Sequence, residues 1–170
     1  EQSHAPDLYQ YGNTTGGPLE AERFSAAVEL LRATKDQRYV AAVQSAWPAI
    51  EKTFAFNLRD AVAALPFMPA SYRDGMIPAV QAYAEATRTG AAANPFGVPI
   101  TTGGWAGNGA VIDHGLTAYA LHRAFPAVVG PDAVFRSLAD IHGNHPGSDI
   151  SFVSGVGTRS KEVAYGSNRA

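Results

Sequence analysis

Between Leu19 and Phe54 apolar side chains return every third or fourth position, and only Lys35 and Asp36 interrupt the rhythm. Phe24, Ala27, Val28 and Leu31 fall at i, i+3, i+4 and i+7, which puts them on one face of a helix running roughly from Leu19 to Thr34. Asp36 is placed to cap a second helix, whose stripe is Tyr39, Val43, Trp47, Ile50 and Phe54. Two amphipathic helices with so short a link can bury their stripes only by folding back on each other, so the pattern predicts an antiparallel helical hairpin. Pro48 removes a backbone donor and crowds the preceding turn, and a kink is expected there.

The rhythm resumes further along. Residues 56–69 are apolar but punctuated by Pro66 and Pro69, which predicts a short helix followed by an irregular crossing segment. Ile77, Val80, Tyr83 and Ala84 mark a third main helix ending near Gly90. Val111, Ile112, Leu116 and Tyr119 mark a fourth that stops before Pro126. Pro131 and Asp132 open a fifth, with Val134, Leu138 and Ile141 on its apolar face and Gly143 as its terminator. The last two form a second hairpin. Tyr39, Trp47, Phe54 and Tyr119 lie on these stripes and are expected in the core.

The expected class is therefore all-α, with helical hairpins forming part of an (α/α)6 toroid and long irregular loops gathered on one face. Residues 1–18 read as a polar arm and residues 19–170 as a partial toroid domain. Two stretches, 91–107 and 143–170, are dense in Gly, Pro, Asn, Ser and Thr yet carry Phe96, Trp105, Phe152 and Tyr165. Disordered linkers seldom hold such aromatics, and long loops in a packed domain usually serve a site, so both are expected on the functional face.

Composition narrows the function. A length of 170 residues suits one domain with a sizeable core. The charged fraction of 16% falls below the usual quarter or so, as if part of the surface were covered in a larger body. A net charge of −2 supplies neither the basic field that phosphate backbones need nor a polybasic strip for lipid, so neither nucleic acid nor membrane is expected as a partner. No apolar run reaches the roughly 18 residues of a membrane span. With no cysteine there are no disulfides, thiolate zinc sites or cysteine nucleophiles, and the redox compartment stays open. Asn13-Thr14-Thr15 fits the glycosylation acceptor pattern. The polar start, without Met, and the loop-like end at Asn168-Arg169-Ala170 read as parts of a longer sequence.

Three stretches carry a family resemblance. Residues 22–39 end a helix on Ala-Thr-Lys-Asp and reach Tyr39; Asn94-Pro-Phe-Gly-Val-Pro99 is followed by Gly103-Gly-Trp-Ala-Gly-Asn108; and Leu138-Ala-Asp-Ile-His-Gly-Asn-His-Pro146 precedes Ser151-Phe-Val-Ser-Gly-Val-Gly157. Taken together, in this order, they resemble the carboxy-terminal half of family nine glycoside hydrolases. The last pair is similar to that family's "Tyr-Leu-Leu-Gly-x-Asn-Pro" helix end and "Ser-Tyr-Val-x-Gly-x-Gly" loop. Where the family has a sugar-binding "His-His-Arg" segment, this chain reads Tyr165-Gly-Ser-Asn-Arg169, and only Arg169 matches. The family's catalytic base lies in an amino-terminal "Asp-Ala-Gly-Asp" motif and its acid is a Glu beyond the Arg segment; neither position occurs here. The resemblance implies inverting hydrolysis of a β-linked glucan or related oligosaccharide by the whole protein. It assigns this chain to scaffold and substrate binding, with no catalytic residue and no cofactor of its own.

Trp105 and Tyr165 are the aromatic candidates for sugar stacking, since a pyranose presents an apolar face to a flat ring while its hydroxyls need fixed polar groups nearby. Asn108, Asn144, Ser167, Asn168 and Arg169 are the candidate polar groups. The acids nearest the expected mouth are Asp113, Asp140, Asp149 and Glu162; Asp140, mid-helix, is expected in an ion pair. Asp113-His114 reads as an exposed pair near a helix start. His142, His145 and Asp149 have ligand chemistry, but they straddle a helix end, where histidines facing the terminal carbonyls are the simpler reading. The expected partners are an oligo- or polysaccharide and the remainder of the parent chain, in a secreted or periplasmic setting. Two alternatives stand beside this reading: another α/α-toroid enzyme, a polysaccharide lyase or unsaturated-glucuronyl hydrolase, and a non-catalytic helical-repeat binding module.

Overall fold

A computed structural model of the chain describes residues 18–99, 107–144 and 146–161. These are mostly helical. The chain falls into two compact units, residues 1–75 and 76–170.

In the first unit, α1 (Leu19–Thr34) buries Phe24, Ala27, Val28 and Leu31, the stripe read from the sequence. It ends on Lys35, which adopts the left-handed conformation at φ 62° and donates its N–H to Leu31 O at 2.9 Å. This single left-handed residue reverses the chain within one position. Asp36 then accepts the Arg38 N–H at 3.0 Å and caps α2 (Gln37–Ile50), as expected. Because Pro48 cannot donate, the α-helical ladder loses a bond near the end of α2, and the path tightens into a 310 turn at Glu51–Thr53. Phe54 thus opens α3 (Phe54–Ala64) instead of closing the α2 stripe.

Helix α3 packs on α1 and α2. The Ser25 hydroxyl donates to the Asp60 carboxylate across the α1–α3 contact. Trp47 sits edge-on to both Phe54 and Tyr72, with ring centroids 6.0 and 5.4 Å apart. Burial raises the Tyr72 pKa, and the hydroxyl has no hydrogen-bond partner among the described residues. A further 310 turn, Leu65–Phe67, precedes α4 (Ala70–Ala92), which begins about two turns before Ile77, the first marker residue read from the sequence, and runs through Pro78.

In the second unit, α5 (Gly107–Ala124) and α6 (Asp132–Ile141) form the expected hairpin. Its packing face matches the expected one only at Val111 and Ile141. The α5 side buried is Val111, Gly115, Thr117, Ala118 and Leu121, while Ile112, Leu116 and Tyr119 are 48, 54 and 48% exposed. On α6 the buried residues are Ser137, Asp140 and Ile141, and Leu138 is 53% exposed. Gly115 explains the rotation: a Cβ there would lie 2.8 Å from Ser137 Cβ, so the helices cross where neither has bulk. Tyr119, expected in the core, instead lies outside with Arg123, whose Nη1 donates to its hydroxyl at 3.3 Å.

Gly143, at φ 91°, ends α6 as predicted. Its N–H donates to Asp140 O at 3.0 Å and the Asn144 N–H to Ala139 O at 2.9 Å, the paired bonds of a Schellman motif. The chain then returns through two short parallel strands, β1 (Ile150–Ser151) and β2 (Arg159–Ser160), with Ile150 opposite Arg159 and Ser151 opposite Ser160. The backbone of 150–151 passes so close to Gly143 that a Cβ there would meet it at 2.7 Å. Val98, Val111 and Ile141 form a small buried cluster beneath these loops.

Candidate functional site

The second unit contains a cavity of about 590 Å3. Helix α4 supplies one wall through Tyr83, Thr87 and the exposed pair Glu85–Arg88; α5 supplies His114 and Ala118; and α6 supplies Asp132, Ala133 and Arg136. Residues 127–130, between α5 and α6, complete the rim. That connection is fixed from beneath: Leu121, Phe125 and Val129 are buried, and His122 Nδ1–H donates to Val129 O at 2.7 Å.

The opposite lip is the loop after α4, and Asn94 holds it. Its amide donates to Gly90 O at 3.2 Å and Val98 O at 3.1 Å, and its carbonyl accepts from the N–H groups of Phe96 and Gly97 at 3.0 and 3.1 Å. One side chain thus satisfies four backbone groups of a loop that has no ladder of its own. The turn carries Gly97, at φ 68°, to the cavity edge, where a Cβ would come within 2.6 Å of Arg136 Nη1.

Electrostatically the cavity is mixed. Burial pushes the Tyr83 hydroxyl upward in pKa; a hydrogen bond with Thr87 opposes this and the Asp113 charge adds to it, so Tyr83 is a neutral phenol near pH 7. Burial lowers the His114 pKa against the attraction of Asp113, which favours the uncharged imidazole. Arg88 grips Glu85 through Nη2 to Oε1 at 2.6 Å and Nε to Oε2 at 3.1 Å, and this pairing holds the Glu85 carboxyl below its ordinary range. Arg136 has neither hydrogen bond nor ion pair with any described residue.

Compared with protein-family models, curated proteins and solved structures, the chain has no match. Its functional reading therefore rests on its motifs and on this geometry.

Of the residues singled out from sequence, Trp105, Tyr165, Ser167, Asn168 and Arg169 lie outside the described residues, as do Glu162, His145 and the Asn13–Thr15 triplet. Asn108 is exposed in the first turn of α5 and does not line the cavity. Asn144 is exposed, with its backbone spent on the α6 terminus. Asp149 is tied to Arg159 at 2.8 Å across the strand pair, and His142 Nδ1–H caps Leu138 O at 2.8 Å, facing the helix carbonyls as expected. No metal-binding cluster occurs among the described residues. Asp140 is buried without an ion pair to any described residue, against expectation. His114 does reach the cavity, half-buried, while Asp113 is exposed.

Tyr83, Arg136, Thr87 and Asp132 are cavity residues that the sequence alone does not single out. Tyr83 sits on an apolar stripe, where an aromatic ring reads as packing. Arg136 and Asp132 look like the solvated face of α6, and no spacing rule distinguishes a solvated face from a cavity wall.

Proposed function

We propose that the chain is a segment of a glycoside hydrolase acting with inversion on β-linked glucan or a related oligosaccharide, in a secreted or periplasmic setting. It contributes scaffold and substrate-binding surface, while the catalytic carboxylates come from the remainder of the parent chain. The observation that carries the sugar-binding part is the cavity itself. At about 590 Å3 it falls within the range of small-ligand sites, and its wall combines a half-buried tyrosine ring with fixed polar groups from three helices and two loops. A neutral phenol, a neutral imidazole and a threonine hydroxyl can each donate to or accept from sugar hydroxyls and a guanidinium can donate to them, while Tyr83 offers the flat face a pyranose ring stacks on.

The toroid belongs to the same proposal. Each hairpin of an α/α ring is flanked by neighbours, and the exposed apolar stripe Ile112, Leu116, Tyr119 on α5, with Phe135 and Leu138 on α6, is the kind of surface such neighbours bury. No helix among the described residues is long and apolar enough to cross a membrane.

Calorimetric titration of the chain with β-linked gluco-oligosaccharides should give measurable binding that Tyr83→Ala weakens about tenfold. The parent protein should release product of inverted anomeric configuration from β-glucan, read by NMR, while the isolated chain releases none. Absence of binding to every oligosaccharide would sink the reading. A new carbon–carbon double bond in the product would indicate a lyase on the same architecture, and turnover by the chain alone would overturn the assignment of the carboxylates elsewhere.

A further inference from the structure

Two arginines line the cavity, and they are in different states. Arg88 is occupied by Glu85 in a forked pair. Arg136 has no counter-ion among the described residues, although Asp132 lies one helical turn before it on the same wall. A carboxylate at i−4 attracts a guanidinium only weakly when both are exposed, and the Asp132–Arg136 pair is not made. Gly97 offers the guanidinium another seat. Because it lacks a Cβ, the guanidinium can lie against the loop backbone, at a point where a methyl group would sit 2.6 Å from Nη1. Asn94 fixes that loop with four hydrogen bonds, so the seat of the arginine is built into the fold.

An arginine seated in this way, with no partner among the described residues, presents a planar fork of N–H donors, which matches a carboxylate in a bidentate geometry. Among the described residues neither carboxylate lining the cavity is paired with it: Glu85 is taken by Arg88, and Asp132 makes no ion pair with Arg136. We infer that the sugar bound in this cavity carries a carboxylate, as a uronate does, and that Arg136 is its anchor. This inference rests on the sugar-binding reading above and adds the acidic class of sugar to it. Asp132 opposes the ligand's charge, which makes it the residue whose neutralisation should help.

The test compares two probes on the same chain by calorimetry: a β-linked glucose disaccharide and the matching disaccharide in which one glucose is replaced by glucuronate. The uronate should bind about tenfold tighter, as expected for one charge-assisted pair partly open to water. Arg136→Gln should abolish that preference, whereas Asp132→Asn should widen it. Thermal melts of both variants should match the parent chain, since neither side chain is buried. Equal affinity for the two disaccharides would overturn the inference and leave the sugar site standing. Binding of neither would overturn both. Inorganic phosphate binding as tightly as the uronate would also overturn it, by showing a site for any anion.

Discussion

His114 shows what one residue's surroundings do to its chemistry. In the sequence it belongs to a polar Asp-His pair near a helix start; in the fold the imidazole is half-buried at the cavity and Asp113 beside it stays exposed. Burial lowers the imidazole pKa, with Asp113 pulling it back up. Below the ordinary value of about 6.5 the unfolded chain takes up a proton that the folded chain resists, so stability falls as pH drops from there toward the lowered folded pKa and levels off beneath it. The melting temperature of the chain should decline across that window, and His114→Gln should flatten the decline. An identical pH profile in the variant would show that His114 is not the group responsible. Gly143 and Asp36 are the opposite case. Their roles as helix stop and helix cap depend on the local backbone, and both are legible in the sequence.

At the scale of elements, helix existence and helix ends follow from spacing and capping, and the packing faces do not. The first helix buries the stripe its sequence announces, since Phe24, Val28 and Leu31 are bulky and have α2 and α3 to cover them. On α5 Ile112, Leu116 and Tyr119 point outward although Val111 and Leu121 are buried, because α6 approaches closely at Gly115, with Ser137 opposite. Apolar periodicity weighs side chains by hydrophobicity; a close helix crossing selects for their absence. Gly115→Val should therefore destabilise the chain by about 2 kcal/mol or more, measured by urea unfolding, since added bulk must push α6 away. Leu116→Ser, at the next position along the helix yet exposed, should change stability by under about 0.5 kcal/mol. If the two variants unfold alike, the assignment of the packing face is wrong.

For the whole molecule, the outward stripes of the second unit set how the chain behaves in solution. Phe135 is 63% exposed and Leu138 53%, on the helix next to the one that carries Leu116. Apolar surface of this kind associates in water when no partner is present. The isolated chain should therefore show concentration-dependent association in sedimentation velocity, reduced by the double variant Leu116→Lys, Leu138→Lys without loss of melting temperature. A strictly monomeric chain at high concentration would remove one support of the toroid proposal. By itself the sequence determined a mostly helical fold, the bounds of its first helix, the Asp36 cap, the Gly143 stop and the pairing of neighbouring helices, because each depends on contacts within about a turn or a short link. Only the tertiary structure decided which side of α5 and α6 faces inward, that Tyr83 and Arg136 share a cavity, and that Gly97 seats a guanidinium, because those depend on groups far apart in the chain arriving at one place.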